Sequence, residues 1–158
     1  MKPDLSLSVQ YGVEEARLPR WRLRRWAKRA LAAAAEDGLV DFSAAELSLR
    51  LVGAAEGRRL NRDFRERDYA TNVLTFEYGV DPLGVARGDI VMCVPVLVRE
   101  AREQRKPLLE HAAHLTIHGV LHALGYDHIK ARDAKRMEAL ETATLAQMGI
   151  ADPYVVAD

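Results

Sequence analysis

One apolar stretch, residues 108–124, constrains the fold more than any other part of the chain. Its spacing predicts a helix between Pro107 and the Gly125-Tyr126-Asp127 segment. Leu109, Ala113, Ile117, Val120, Leu121 and Leu124 spread apolar surface around its other faces, so the helix must be mostly buried. The same helix carries His111, His114, His118 and His122, which share an arc of about 80° at about 100° per residue. All five histidines of the chain fall between residues 111 and 128.

The remaining chain reads as the layers that cover this helix. Leu5, Leu7, Val9 and Tyr11 alternate with polar residues, as do Leu47, Leu49 and Leu51, and both runs predict half-buried strands. Val73 to Phe76 and Asp89 to Val94 predict two more, separated by a loop with Pro82, Gly84 and Gly88. Pro19 opens a helix that runs to about Glu36 and is capped by Gly38. A short helix over about 54–65 is expected to bury Leu60 and Phe64, at i and i+4. Further helices are expected near 96–105 and 131–148. The expectation is one α+β domain spanning 1–158, with a small mixed sheet of about four strands and a helical C-terminal third.

Composition narrows the function. The 158 residues are 49% apolar, enough for a single core. Lys and Arg number 23 and Asp and Glu number 23, which argues against a polycation that coats nucleic acid without discrimination. That zero is a sum over separated patches. Arg17, Arg20, Arg22, Arg24, Arg25, Lys28 and Arg29 run without an acid and with Trp21 and Trp26 interleaved. They suit phosphates and unpaired bases, and equally a solvated helix face whose tryptophans anchor it to the sheet. A second cluster is Arg58, Arg59, Arg62, Arg65 and Arg67. The one cysteine, Cys93, cannot close an internal disulfide. The start of the chain carries no apolar leader, and the longest apolar run, residues 90–98, is far short of the roughly 20 residues that span a membrane. A cytoplasmic protein is expected.

Geometry selects among the histidines. His118 and His122 stand one turn apart and can grip one metal. His111 lies about 10 Å along the axis from His118 at about 1.5 Å per residue, too far to be a fellow ligand. Surface placement is expected for His111, and support of a metal ligand or substrate contact for His114. Gly125 can turn the chain back and bring His128 from a second direction. The spacing is H-x-x-x-H-x-x-G-x-x-H, through His118, His122, Gly125 and His128. Three imidazoles leave one position of a tetrahedral Zn²⁺ open, as in catalytic sites. Zinc peptidases with this ligand spacing carry Glu after the first His as general base, and here that residue is Gly119.

The segment His118 to His128 resembles the signature of the YbeY family of bacterial metal-dependent endoribonucleases, involved in ribosomal RNA maturation. Leu60-Asn61 with Phe64 to Asp68, and Thr71 to Phe76, resemble the family's central block. Gly88 to Val91 resembles its next strand, and Met137 to Glu141 its last helix. The likeness covers about residues 47–154 and leaves the first 45 or so without a sharp motif. Ala70 and Glu77 stand where proline is common, Phe64 where tyrosine is frequent, and Arg87 where leucine precedes Gly-Asp. None of these departures touches a ligand position.

The resemblance implies one Zn²⁺ per chain and a cleft acting on RNA. Implied functions are single-strand-preferring cleavage at the 3′ end of small-subunit ribosomal RNA and quality control of that subunit. Implied partners are ribosomal RNA, the small ribosomal subunit, its proteins or an assembly GTPase, with neither DNA nor membrane. It also carries a functionally important arginine over to Arg65. A guanidinium fork matches phosphate oxygens and can stabilise charge developing on phosphorus, although a salt bridge to Asp68 or Glu66 is the structural alternative. In this reading the zinc held by His118, His122 and His128 acidifies a water toward a pKa of about 7 or polarises a phosphate oxygen. His114 serves as proton relay or donor. Asp127 either orients an imidazole or simply closes a turn. Met137 is either a floor beneath the metal or helix packing. The competing expectations are a non-catalytic zinc-binding assembly factor and a metallopeptidase with an unusual base.

Overall fold

In a computed structural model of the chain, which describes residues 3–127 and 129–155, nine elements form in the order expected. They are β1 (Asp4–Tyr11), α1 (Arg20–Asp37), β2 (Ala44–Val52), α2 (Ala54–Arg65), β3 (Val73–Val80), β4 (Val85–Cys93), α3 (Val94–Glu103), α4 (Leu108–Ala123) and α5 (Ala131–Ala146). The four strands make one mixed sheet in the order β1-β2-β4-β3. β1, β2 and β4 are parallel, and β3 pairs antiparallel with β4 on the edge.

The pleat divides the sheet into two unlike faces. Leu7, Val9, Leu47, Leu49, Leu51, Ala86, Ile90 and Met92 are buried in the main core with α1 and α4. The opposite face is polar: Ser48 donates to Asp89, and Arg50 clasps Glu56 with two hydrogen bonds. A smaller apolar cluster of Val52, Cys93 and Val96 sits where α2 meets the end of the sheet. Gly38 closes α1 in the left-handed conformation at φ 76°, as its place after Asp37 predicts.

Three expectations needed correction. β3 and β4 are longer than the apolar runs suggested, because an Asp81–Gly84 turn with Asp81 accepting from Leu83 and Val85 lets the hairpin extend past its buried part. α3 begins directly after β4, at Val94. α2 does not bury Leu60 and Phe64. Its inward face is Gly57 and Asn61, and Phe64 is 58% exposed, packing edge-on against Phe76. Gly57 allows α2 to approach Cys93, and Asn61 donates to the Tyr69 carbonyl, so small size and one polar anchor set that face.

The position of α4 is set by two glycines. A Cβ on Gly119 would come within 2.9 Å of Ile90, and one on Gly88 within 2.8 Å of Ala123. Helix and sheet therefore meet almost backbone to backbone. Gly88→Val should lower stability by about 1–3 kcal/mol by overpacking this contact. Urea unfolding with an unchanged m-value and a reduced midpoint is the expected result.

Candidate metal and active site

With Gly119 against the sheet, the histidines of α4 point sideways. Helical geometry puts His114, His118 and His122 about 60–140° around the helix from Gly119, on the flank that α5 covers. His118 Nδ1 lies 2.7 Å from Glu141 Oε1. Glu141 is completely buried on α5. Burial pushes its carboxyl pKa up, but hydrogen bonds from His114 and His118, the His118 charge and the Tyr154 hydroxyl outweigh this and bring it to about 2. An ionised carboxylate only accepts, so His118 carries its hydrogen on Nδ1. His122 Nδ1 lies 2.8 Å from the Tyr126 carbonyl, which also only accepts. In their neutral forms both imidazoles therefore carry the lone pair on Nε2, with ring centroids 6.2 Å apart.

This is the tautomer that a divalent metal requires of a histidine ligand. A carboxylate and a backbone carbonyl on the remote nitrogens are the usual means of fixing it. The donors present thus fit zinc. His128, the third expected ligand, lies outside the described residues. Among the described residues no group of three or more metal-ligating side chains is assembled.

The turn after α4 is built as its glycine requires. Gly125 has φ 115°, its N–H bonds the His122 carbonyl, and Tyr126 N–H bonds the Leu121 carbonyl. The Tyr126 ring is buried, and its hydroxyl donates to Asp37 Oδ2, which also receives Arg136 at 3.1 Å. The segment leading to His128 is thereby tied to the end of α1. Asp127 accepts the Ile129 N–H, as a residue that closes a turn does; the imidazole it could orient, that of His128, lies outside the described residues. Orientation of His118 falls to Glu141, a charged residue on the buried stripe Met137, Glu141, Thr144, Leu145 of α5, and that position was its one sequence signal. Met137 belongs to the main core.

His114 joins the same network. Its Nε2 is 3.3 Å from Tyr154 Oη and 3.4 Å from Glu141 Oε1, while Tyr154 donates to Glu141 Oε2 at 2.6 Å. With the Tyr154 hydrogen committed to Glu141, His114 donates from Nε2 and keeps its lone pair on Nδ1. Tyr154 was not foreseen, because nothing in its local sequence ties it to α4. His111 is not at the surface: it is 3% exposed, with Nε2 3.0 Å from Glu100 Oε1. The close α3–α4 packing encloses it there.

Arg65 ends α2 and lies over β3. Its Nη2 donates to the Thr75 carbonyl at 2.8 Å, and its guanidinium sits 4.9 Å from the centre of the Phe76 ring. Of the two acids in the salt-bridge alternative, Asp68 is taken by Arg58 at 2.7 and 2.9 Å, and among the described residues Arg65 makes no ion pair with Glu66. β3 in turn packs on α4. Gly119 is buried against Ile90 and Val73, so a glutamate at that position would enter the sheet contact. Asn72 donates to Glu100 at 3.1 Å, beside His111.

Fold and site together define a class: a small α+β protein with a paired-histidine helix buried between a mixed sheet and a C-terminal helix. The same fold occurs in a solution structure of a Thermotoga maritima protein, with TM-score 0.58 and 21% identity over 94% of this chain and 99% of that one. The family model described as Endoribonuclease YbeY matches residues 9–149, reaching well into the N-terminal part that carries no sharp motif. Endoribonuclease YbeY of Bordetella avium is 78% identical over 157 residues, covering 99% of this chain and 98% of the relative. That of Bordetella pertussis is 77% identical, covering 99% and 100%. A more distant relative of the same name, from an Acidovorax species, is 53% identical over 96% of each chain. The chain belongs to the YbeY endoribonuclease family, and membership puts it among the hydrolases that act on RNA.

The Tyr126–Asp37–Arg136 anchor has a pH signature. Burial raises the Asp37 pKa, but hydrogen bonds from Tyr126 and Arg136 outweigh it and hold the carboxyl below its ordinary value. Its stabilisation is then complete above the ordinary carboxylate pKa and lost as pH falls through the lowered one. Tyr126→Phe should cost about 1–3 kcal/mol at neutral pH. That cost should shrink toward pH 3, as read by urea denaturation at both pH values.

Proposed function

We propose that the chain is a zinc-dependent endoribonuclease of ribosomal RNA maturation, cleaving single-stranded small-subunit RNA at its 3′ end and serving small-subunit quality control. The observation that carries this reading is the shared tautomer of His118 and His122, each holding a lone pair on Nε2 one helical turn apart. His128 is the third donor in this reading, with one zinc per chain. Zinc held by three neutral imidazoles supplies Lewis acidity toward a phosphodiester and toward its water nucleophile.

The chain's own residues do the rest. Hydrolysis adds water across one P–O bond, and negative charge grows on the phosphoryl oxygens. Arg65, with one Nη2 hydrogen fixed on the Thr75 carbonyl and its plane against Phe76, offers further N–H donors to those oxygens. His114 Nδ1 can take a proton while Nε2–H stays on the Glu141–Tyr154 network. Glu141 holds His114 and His118 at once, so ligand orientation and proton handling share one carboxylate.

Ribosomal RNA and the small subunit are the partners in this reading, with small-subunit proteins or an assembly GTPase alongside, and the setting is the cytoplasm. No helix among the described residues is long and apolar enough to cross a membrane.

The test is cleavage of structured small-subunit ribosomal RNA by the full chain, with His118→Ala, His122→Ala and Arg65→Glu in parallel. Each variant should lose about 100-fold or more in kcat/KM, the scale of removing one group that stabilises transition-state charge. Cleavage that persists in all three points to a contaminating nuclease and overturns the catalytic reading. RNA bound without cleavage by the wild type would favour a docking role in assembly. Glu141→Gln should weaken zinc binding about 10–100-fold, measured by competition with a chromogenic chelator. Much less than one transition metal per chain in wild type purified without chelator would refute the zinc assignment.

A further inference from the structure

The two tryptophans of α1 part company in the fold. Trp26 is 8% exposed and belongs to the core, whereas Trp21 is 58% exposed. Trp21 stands as a ridge between two surface grooves of about 950 and 420 Å³. The larger is bordered by Arg24, Arg25, Lys28 and Arg29, with Asp4 as the acid on its rim. Among the described residues none of these four cations forms an ion pair, in contrast to Arg50, Arg58 and Arg87, which all do. Arg22 lies over the Trp21 ring at 4.8 Å.

This arrangement is costly for the isolated chain. The first turn of α1 contains no acid, and Arg20 and Arg22 crowd the positive end of its macrodipole. Four further unpaired cations around one groove repel one another. An anionic partner removes both penalties. A flat aromatic ridge between cation-lined concavities fits a chain of alternating phosphates and bases better than a flat lipid surface.

We propose that α1 is a second RNA-docking surface, separate from the histidine site, on which an unpaired base stacks against Trp21 while neighbouring phosphates lie on Arg24, Arg25, Lys28 and Arg29. This extends the proposed function and rests on RNA being the substrate. The smaller groove continues onto Gln147 and Met148, just past the end of α5. Gln147 follows Glu141 by six residues, about 9 Å along the helix axis. The surface captures substrate, and the chemistry stays at the histidines.

Binding is tested directly, without relying on turnover. Fluorescence anisotropy with a labelled single-stranded RNA 20-mer reads affinity for the full chain, Trp21→Ala, Trp21→Phe and the triple variant Arg24→Gln/Arg25→Gln/Lys28→Gln. All four positions are exposed, and unchanged thermal unfolding confirms that the fold is kept. Trp21→Ala should lose roughly 10-fold, within the range for one stacked base, and Trp21→Phe should keep most of the affinity. The triple variant should reduce the slope of log K against log salt by about 2, from roughly 0.7 per phosphate released. In cleavage, these variants should raise KM for long RNA at unchanged kcat.

Unchanged affinity in Trp21→Ala overturns the stacking assignment, and an unchanged salt slope in the triple variant overturns the phosphate assignment. Equal loss by Trp21→Ala on a double-stranded RNA hairpin of the same length also overturns the stacking assignment, since bases inside a duplex are already stacked on one another. Binding of phosphatidylglycerol vesicles by the wild type in the absence of RNA binding overturns the proposal. Binding that behaves as expected, in a chain that never cleaves RNA, would sustain this surface while sinking the catalytic reading.

Discussion

Everything at the site depends on the backbone-close contact between α4 and the sheet. Gly119 meets Ile90 and Gly88 meets Ala123 with no room for another carbon. A helix held that tightly cannot rotate about its own axis without driving a side chain into a strand. Its azimuth is thereby fixed, and with it the direction of each histidine. His114, His118 and His122 face α5 because Gly119 faces the sheet.

Given that azimuth, α5 needs to contribute one residue. Glu141 is a buried carboxylate kept ionised by the donors around it, and it fixes His118 and His114 together with Tyr154. Buried charge is tolerated only when it is saturated with hydrogen bonds, and here the donors are the functional side chains themselves. The Tyr126 carbonyl performs the same service for His122, and the Tyr126 hydroxyl moors the turn to α1 through Asp37. Site geometry and core packing are thus parts of one contact network.

Charge follows a different logic. Net charge is zero over the whole chain, yet the cations gather on α1 and α2. On α2 and the sheet many are paired, as Arg58 is with Asp68. On α1 the groove cations stand without acid partners among the described residues. A balanced total is compatible with one face that grips a polyanion.

The sequence by itself determined much of this protein. Alternating leucines located β1 and β2, proline and glycine bounded the helices, and the histidine spacing picked out His118 and His122 as a pair. These signals are local, carried by period and by conformational preference within a few residues. Only tertiary structure decided the rest. It showed that His111 is enclosed against Glu100, that Arg65 rests on the Thr75 carbonyl, that Trp21 and Trp26 have opposite fates, and that Glu141 holds the histidines. Each depends on which face of one element meets another across dozens of residues. The period of a helix reveals that a face is buried, but what it is buried against is set by the packing of the whole chain.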